Sequence, residues 1–423
     1  MIARPRPDRQ FWVRLHRWVG LVIAGFLVLA GLTGAVLVWH RELSLAITPE
    51  LYHVKSPRPG AALLDPATVL ERAAQQAPGA TISYLPLNIR PGDATFLSAE
   101  GVAKPEMAVD PYTGDILARW DGGSLADGRV AIMPFLYRLH YSLALGTVGT
   151  WVFGVVALLW TLDTVVGAYL TLPARCVSGA SRSPATWLAR WRPAWTVRRG
   201  GDAHKLNMDL HRAGGLWLWA VLFVFAWSSV GFNLSQVHTP VMRALFSFRA
   251  ATDLPALPTP RPVANLSWQS ALGHGRLLMA AELQARGLTQ RFESGLYHDA
   301  ATGTFHYSVN SSADRADKRH GGTSVAFDAD TGARRSFIST ADERVGDIAT
   351  RWMSDLHMAA IWGLPYDVFV TLVGLAVAML SITGALIWAK KRAARVFAIN
   401  RRYPKTTGQR NSSIGGSEAA ELS

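Results

Sequence analysis

Four long runs of apolar residues, separated by stretches rich in polar side chains, dominate the pattern of this chain. The runs cover Phe11–His40, Ser142–Leu172, Leu210–Ser235 and Pro365–Trp388. Because a helix rises about 1.5 Å per residue, roughly 20 apolar residues are enough to cross a bilayer. The pattern therefore predicts a membrane protein with four transmembrane helices.

The second half of the chain repeats the first. The second and fourth runs align at an offset of 217 residues, which places Leu139-His140 on Leu356-His357. The first and third runs align at an offset of 195, which places Leu15-His16-Arg17 on Leu210-His211-Arg212. The repeated unit is a span, a large outer segment and a second span. We therefore expect an internal twofold repeat whose two copies have the same orientation, because an even number of crossings separates them.

The two outer segments, residues 41–138 and 236–355, are too long and polar to be simple connectors, and each predicts a small α+β domain. Helices are expected over Asp65–Gln76 and Ser267–Ala285. A D-x-x-T-G turn, at Asp110–Gly114 in one copy and Asp328–Gly332 in the other, predicts a closing hairpin. Further strands are expected at Thr81–Leu87, Ala94–Ala99, Glu106–Val109 and Asp115–Trp120, with another hairpin turn at Asp299–Gly303.

The fold class that follows is a four-helix transmembrane bundle with two extracytoplasmic α+β domains. The predicted boundaries are 1–45 for the N-terminal tail and first span, 46–138 for the first outer domain, 139–173 for the second span, 174–206 for a basic inner loop, 207–236 for the third span, 237–355 for the second outer domain, 356–390 for the fourth span and 391–423 for the tail.

Charge sets the predicted orientation. The net charge is +13, and the two termini with the loop between the second and third spans hold 20 basic but only four acidic residues. The positive-inside rule places these segments in the cytoplasm and the outer segments across the membrane. This topology accounts for the basic balance without nucleic acid as a partner. The sixteen tryptophans suit membrane interfaces, and the single cysteine, Cys176, allows neither an internal disulfide nor a Cys-x-x-Cys-His haem attachment.

Four histidines at equivalent repeat positions are the candidate site. His16 and His211 lie at one end of their spans, and His140 and His357 lie at the other. Since a crossing of about 30 Å separates the two ends, these residues predict two sites of two imidazoles. Zinc would require further ligands that the neighbouring sequence does not supply. Two imidazoles suit a haem iron with both axial positions filled. Such an iron has no open position for O₂, so its expected function is electron transfer.

Other polar residues near the spans are weaker candidates for cofactor binding. Arg17, Arg212 and Arg138 stand beside the histidines and could hold haem propionates, although positive-inside charge also explains the first two. His40 and His238 are the alternative outer ligands, or could face the electron acceptor, or serve as interface anchors. Asp163, an acid deep in the second span, could relay protons, balance a cationic iron or make a packing hydrogen bond. Glycines in the first two spans could admit a macrocycle or pack helices together.

These features resemble the PepSY-associated transmembrane proteins. The resemblance rests on Leu15-His16-Arg17 with Gly20, on Trp39–Leu43, and on outer domains that each end in a D-x-x-T-G hairpin. It covers roughly residues 10–395 and departs from the pattern at a polar insert, Asn310–Gly322. The family includes bacterial inner-membrane reductases of ferric siderophores that hold two b-type haems.

The resemblance implies specific roles. His16 and His211 would hold a cytoplasmic-side haem and His140 and His357 a periplasmic-side haem, each in bis-His ligation. A periplasmic ferric siderophore or other ferric complex would accept the electron. No nucleotide-binding fingerprint is visible, so a quinol, a flavoprotein or a small reductant is the expected donor.

Two other classes of function stay open at this point. A PepSY membrane protein could bind or regulate periplasmic proteases or cell-wall enzymes without redox chemistry, and it would be colourless when purified. A general cytochrome-b-type quinol oxidoreductase would be coloured but indifferent to ferric chelates. A transporter is disfavoured because no span has an evident break at mid-membrane.

Overall fold

The computed structural model describes residues 8–90, 92–173, 186–198, 200, 202–250, 254–316 and 322–402. Cys176 lies outside the described residues, as does part of the polar insert. The helices are α1 Arg9–Leu37, α2 His40–Ile47, α3 Pro66–Gln76, α4 Ile132–Ser142, α5 Gly146–Thr171, α6 Trp187–Trp191, α7 Ala203–Trp217, α8 Trp219–Asn233, α9 Ser235–Leu245, α10 Trp268–Ala285, α11 Val345–His357 and α12 Leu364–Arg402. The strands are β1 Thr81–Ile82, β2 Tyr84–Pro86, β3 Thr95–Glu100, β4 Glu106–Val109, β5 Ile116–Trp120, β6 Gln290–Asp299, β7 Thr304–Ser311, β8 Thr323–Asp328 and β9 Arg334–Ile338.

Three single helices in the described part of the chain, α1, α5 and α12, are long and apolar enough to cross a membrane. The third predicted span differs from the expectation of an unbroken helix, because α7 and α8 meet at a bend of 70°. Leu218, between them, has φ −98° and ψ 1°, which departs from helical geometry. The charged residues Lys205, Asp209 and Arg212 all precede the bend, in the helix of the pair that favours the polar end of the bundle. Counted as one bent span, α7 and α8 would bring the candidate crossings in the described part of the chain to four.

The outer-end histidines lie on short helices that precede the spans, and not on the spans themselves. His140 is near the end of α4, and His357 is the last residue of α11. Residues with positive φ interrupt the helical geometry before α5 and α12 begin. They are Leu143 and Ala144 in the first copy, and Ala359 and Trp362 in the second. Such a conformation is costly for side chains other than glycine, so the equivalent breaks mark a constrained turn in both halves.

The spanning helices pack closely, with α1 against α12 and α5, and α5 against α8. The tightest crossing is between α1 and α12, where a Cβ added at Gly31 would lie 2.5 Å from the carbonyl oxygen of Gly374. A Cβ added at Gly374 would likewise lie 2.6 Å from the carbonyl oxygen of Gly31. These two glycines therefore serve close helix packing, as small residues do in membranes.

Most of the predicted outer elements are present, but the predicted strand Thr81–Leu87 is two short strands, β1 and β2, which belong to different sheets. Helices α3 and α10 match the expected ranges, and each begins with a side-chain cap, from Asp65 and Ser267 respectively. Three hairpins turn at the D-x-x-T-G motifs, where the aspartate accepts backbone hydrogen bonds from the second and third following residues. The glycine of each motif, Gly114, Gly303 or Gly332, has a φ between +63° and +79°, a conformation open to glycine at little cost.

The two outer segments pack against each other as one unit, called the outer unit below. Strand β2 of the first segment pairs with β6 of the second, with Leu85 opposite Leu296. This gives two antiparallel sheets, ordered β1-β3-β4-β5 and β2-β6-β7-β8-β9. A single hydrophobic core joins α3 and α10, with Leu70 and Met279 among its buried members. The unit thus couples the outer ends of both halves of the repeat.

Candidate cofactor-binding sites

The structure brings the four repeated histidines together as two pairs. His16 of α1 faces His211 of α7 with 6.1 Å between ring centroids. His140 of α4 faces His357 of α11 with 6.5 Å between ring centroids. One iron bound by two imidazoles through bonds of about 2.0–2.1 Å, with roughly 1.1 Å from each nitrogen to its ring centre, puts the centroids about 6.3 Å apart. Both pairs have a centroid spacing close to this value.

The pairs lie at opposite ends of the bundle. Helix α1 shows their separation, because His16 belongs to one pair and Thr33, on the same continuous helix, contacts His140 of the other. Seventeen residues of helix correspond to about 26 Å at 1.5 Å per residue. No single ligand set could include all four rings.

Each ring at the His16/His211 site is fixed through Nδ1. The Nδ1 atom of His16 lies 2.9 Å from Oδ1 of Asp163, and Nδ1 of His211 lies 3.0 Å from the carbonyl oxygen of Leu380. Thr383 Oγ1, which donates to the same carbonyl, lies 3.1 Å from Nδ1 of His211. A carbonyl or a carboxylate oxygen accepts hydrogen bonds, so Nδ1 is the protonated nitrogen of both rings.

The His140/His357 site uses hydroxyl groups for the same purpose. Thr33 Oγ1 lies 3.0 Å from Nδ1 of His140, and Ser228 Oγ lies 2.7 Å from Nδ1 of His357. Both hydroxyls sit within 2.7 Å of a backbone carbonyl oxygen one turn earlier, to which they donate. They are therefore acceptors toward the imidazoles. All four rings carry their proton on Nδ1 and leave the Nε2 lone pair for a metal, as in metal-ligating histidines generally.

Glycines make room for three of the four rings. A Cβ added at Gly34 would lie 3.0 Å from Cε1 of His140, one at Gly384 would lie 3.1 Å from Cε1 of His211, and one at Gly167 would lie 3.3 Å from Cε1 of His16. The sequence left open whether glycines admit a macrocycle or pack helices. At these positions they receive an imidazole.

A cavity of about 330 Å³ adjoins the His16/His211 pair. Its walls include Ile23, Leu27, Trp160 and Trp388, and its size falls within the range of about 300–1,000 Å³ usual for small-molecule sites. Among the described residues there is no group of three or more His, Cys, Asp and Glu side chains suited to a metal ion. Two imidazoles beside an apolar cavity suit a planar cofactor that supplies the remaining metal ligands itself, as haem does.

The three arginines proposed for propionates have different surroundings. Arg17 and Arg212 line the cavity beside Lys391, which the sequence did not single out. Arg212 also donates to Asp209, a buried acid that Arg198 pairs with from the other side. Arg138 instead makes ion pairs with acidic residues of the outer unit, Glu106 at 3.3 Å and Asp121 at 3.7 Å. A propionate there would compete with two carboxylates.

The alternative outer ligands lie apart from the two pairs. His40 is exposed at the start of α2. His238, on α9, is buried against Trp227, with ring centroids 5.0 Å apart, and against Gly231. The ring of His238 therefore packs within the bundle and is not paired with any of the four candidate-site rings.

Sequence reasoning missed the hydroxyl partners of the histidines. Thr33 and Ser228 are themselves related by the 195-residue offset, so the repeat alignment contained a signal for them. Thr383 and Lys391 offered no such signal, because a threonine or a terminal lysine is common in any membrane helix. Asp163 was noticed as an isolated acid, but its contact with His16 appears only in the fold.

The family model described as the PepSY-associated TM region matches residues 13–391. This match covers both histidine pairs, the spanning helices and the outer unit. A comparison with curated proteins finds no match to this chain.

Proposed function

The chain belongs to the PepSY-associated transmembrane family, and from this premise we propose that it is a membrane electron-transfer protein with two b-type haems. His16 and His211 would hold one haem, and His140 and His357 the other. The observation that carries the proposal is the geometry of these rings: two pairs with centroids 6.1 and 6.5 Å apart and every Nδ1 engaged by an acceptor. When bound, each haem would supply one-electron iron redox chemistry.

The surrounding residues do what a buried redox centre needs. Hydrogen bonds at Nδ1 hold each ring in one tautomer and orientation, which leaves the Nε2 lone pair available to a metal. The largely apolar walls of the cavity favour the binding of a large aromatic macrocycle. Arg17, Arg212 and Lys391 place positive charge at the same cavity, where they would pair with propionates.

We propose the inner membrane of a bacterium as the location, with both termini in the cytoplasm and the outer unit in the periplasm. The charge asymmetry of the sequence supports this orientation. Electrons would pass from the cytoplasmic or quinone side to a periplasmic acceptor. A ferric siderophore is the acceptor that the resemblance favours, and one electron would reduce its Fe³⁺ to Fe²⁺. The activity is that of a haem-dependent ferric reductase.

A visible spectrum of the purified protein tests the haem assignment directly. We expect two low-spin haems per chain, counted against protein concentration. Changing His16 or His211 to Ala should remove one haem, and changing His140 or His357 to Ala should remove the other. His238→Ala is the matched control, since His238 is a buried histidine of the same bundle that packs against Trp227. A colourless protein expressed with ample haem would refute the redox function and favour a PepSY regulator.

The acceptor needs a separate experiment. The protein reduced under anaerobic conditions should be reoxidised by a ferric siderophore, with Fe²⁺ appearing in a ferrous chelator and the iron-free siderophore as control. Reoxidation by other acceptors with indifference to ferric chelates would replace the ferric reductase with a general quinol oxidoreductase.

A further inference from the structure

One of the four candidate ligands differs from the others in the charge of its Nδ1 partner. His16 has the carboxylate of Asp163 at 2.9 Å. His211 has the carbonyl of Leu380 and the hydroxyl of Thr383, and the two outer rings have the hydroxyls of Thr33 and Ser228. The two halves of the repeat are thus alike in backbone but unlike in the charge that they place behind the ligand.

Comparison of the two repeat copies shows that only one of them places a charged side chain behind its histidine. At the offset of 217, Asp163 of α5 corresponds to Leu380 of α12, whose backbone carbonyl serves His211. The fold can therefore fix an imidazole at this position without any ionisable side chain. Asp163 is only 8% exposed, and an acid buried in a membrane span is expensive. Its presence behind His16 therefore calls for a role beyond orientation.

We propose that Asp163 is a positioning residue that gives the cytoplasmic-side haem a lower midpoint potential than the periplasmic-side haem. This rests on the proposed function. A hydrogen bond from Nδ1–H to a carboxylate makes the imidazole a stronger electron donor than one to a neutral oxygen, because charge-assisted bonds are roughly twice as strong. A stronger donor favours ferric over ferrous iron. The lower potential on the cytoplasmic side makes electron transfer toward the periplasm downhill.

The nearby cations do not cancel this effect. Arg17, Arg212 and Lys391 line the same cavity, but Arg212 is already paired with buried Asp209 at 2.9 Å. All three would also face the propionates of the cofactor, whose carboxylates offset their positive charge. Asp163 acts through the ligand itself, and its effect is therefore confined to one of the two sites.

The test is a redox titration of the haem-loaded protein followed by its visible spectrum. Asp163→Asn should shift the ferric/ferrous equilibrium of the His16/His211 haem at least tenfold toward ferrous iron, which is about 59 mV for one electron. The other haem should not move. Thr383→Val is the matched control at the same site, since it removes a neutral partner while the Leu380 carbonyl still accepts from His211. An unchanged potential in Asp163→Asn, or an equal shift of both haems, would overturn the proposal.

A second measurement covers the case in which Asp163→Asn loses its haem. His140→Ala should retain the cytoplasmic-side haem alone and His16→Ala the periplasmic-side haem alone, each without altering Asp163 itself. The first protein must then titrate at a lower potential than the second. Equal or reversed potentials would refute the role of Asp163 while leaving the two-haem function intact, whereas absence of haem from the unaltered protein would refute the function itself.

Discussion

The glycines that receive the histidine rings offer a graded test of the two-site geometry. Gly34 and Gly25 lie on the same helix, and a Cβ added at Gly25 would meet nothing within 4 Å. A Cβ at Gly34 would lie 3.0 Å from Cε1 of His140. Since ordinary contacts begin at 3.4 Å, Gly34→Ala forces the ring to move by about 0.4 Å, roughly twice the tolerance of ±0.2 Å for a metal–ligand distance.

We therefore expect Gly34→Ala to lower the occupancy of the His140/His357 haem and to leave the other haem in place. Gly25→Ala should retain both haems and gain slightly in stability, because alanine is favoured over glycine in a helix by about 1 kcal/mol. At the other site, Gly384→Ala requires a shift of about 0.3 Å and Gly167→Ala about 0.1 Å, measured against the same tolerance. The order of haem loss should be Gly34 first, Gly384 next and Gly167 last.

Haem per chain, measured by the pyridine haemochrome method on protein of matched purity, gives the occupancy of each variant. Redox titration or the spectra of His16→Ala and His140→Ala identify which haem is missing. The reasoning fails if Gly34→Ala keeps two haems with an unaltered spectrum, or if it loses the haem at the far end of α1.

Three further outcomes follow from the packing and topology. Gly374→Val should destabilise the bundle by about 1–3 kcal/mol, the usual cost of overpacking, because the valine side chain would clash with the backbone of α1. We expect a lower melting temperature with loss of both haems. An unchanged melting temperature would contradict this. Leu85→Ala should cost about 2–5 kcal/mol in the outer unit, because Leu85 is fully buried where the two segments meet; limited proteolysis should show faster cleavage there with the haem content unchanged. Cys176 should react with a membrane-impermeant maleimide only after the cells are permeabilised, whereas a Ser56→Cys variant in a Cys176→Ser background should react in intact cells; the reverse pattern would invert the proposed topology.

The local features of the fold follow from the sequence because they depend on neighbouring residues. Apolar runs of sufficient length specify α1, α5 and α12, since backbone groups in a bilayer must be satisfied within a helix. The D-x-x-T-G motifs specify their hairpins, since the aspartate and the glycine satisfy the turn within five residues. The bend between α7 and α8 escaped prediction because no proline marks it and the apolar run is continuous through Trp217 and Trp219.

The sequence by itself determined which residues could ligate: repeat alignment selected His16, His140, His211 and His357 from twelve histidines. Only the tertiary structure decided which group accepts the hydrogen bond from Nδ1 of each imidazole. Asp163 is 147 residues from His16 along the chain, and Leu85 meets Leu296 across two spans and a loop. Such contacts depend on the rotation and approach of whole helices and strands, and they are set by packing that no local pattern encodes.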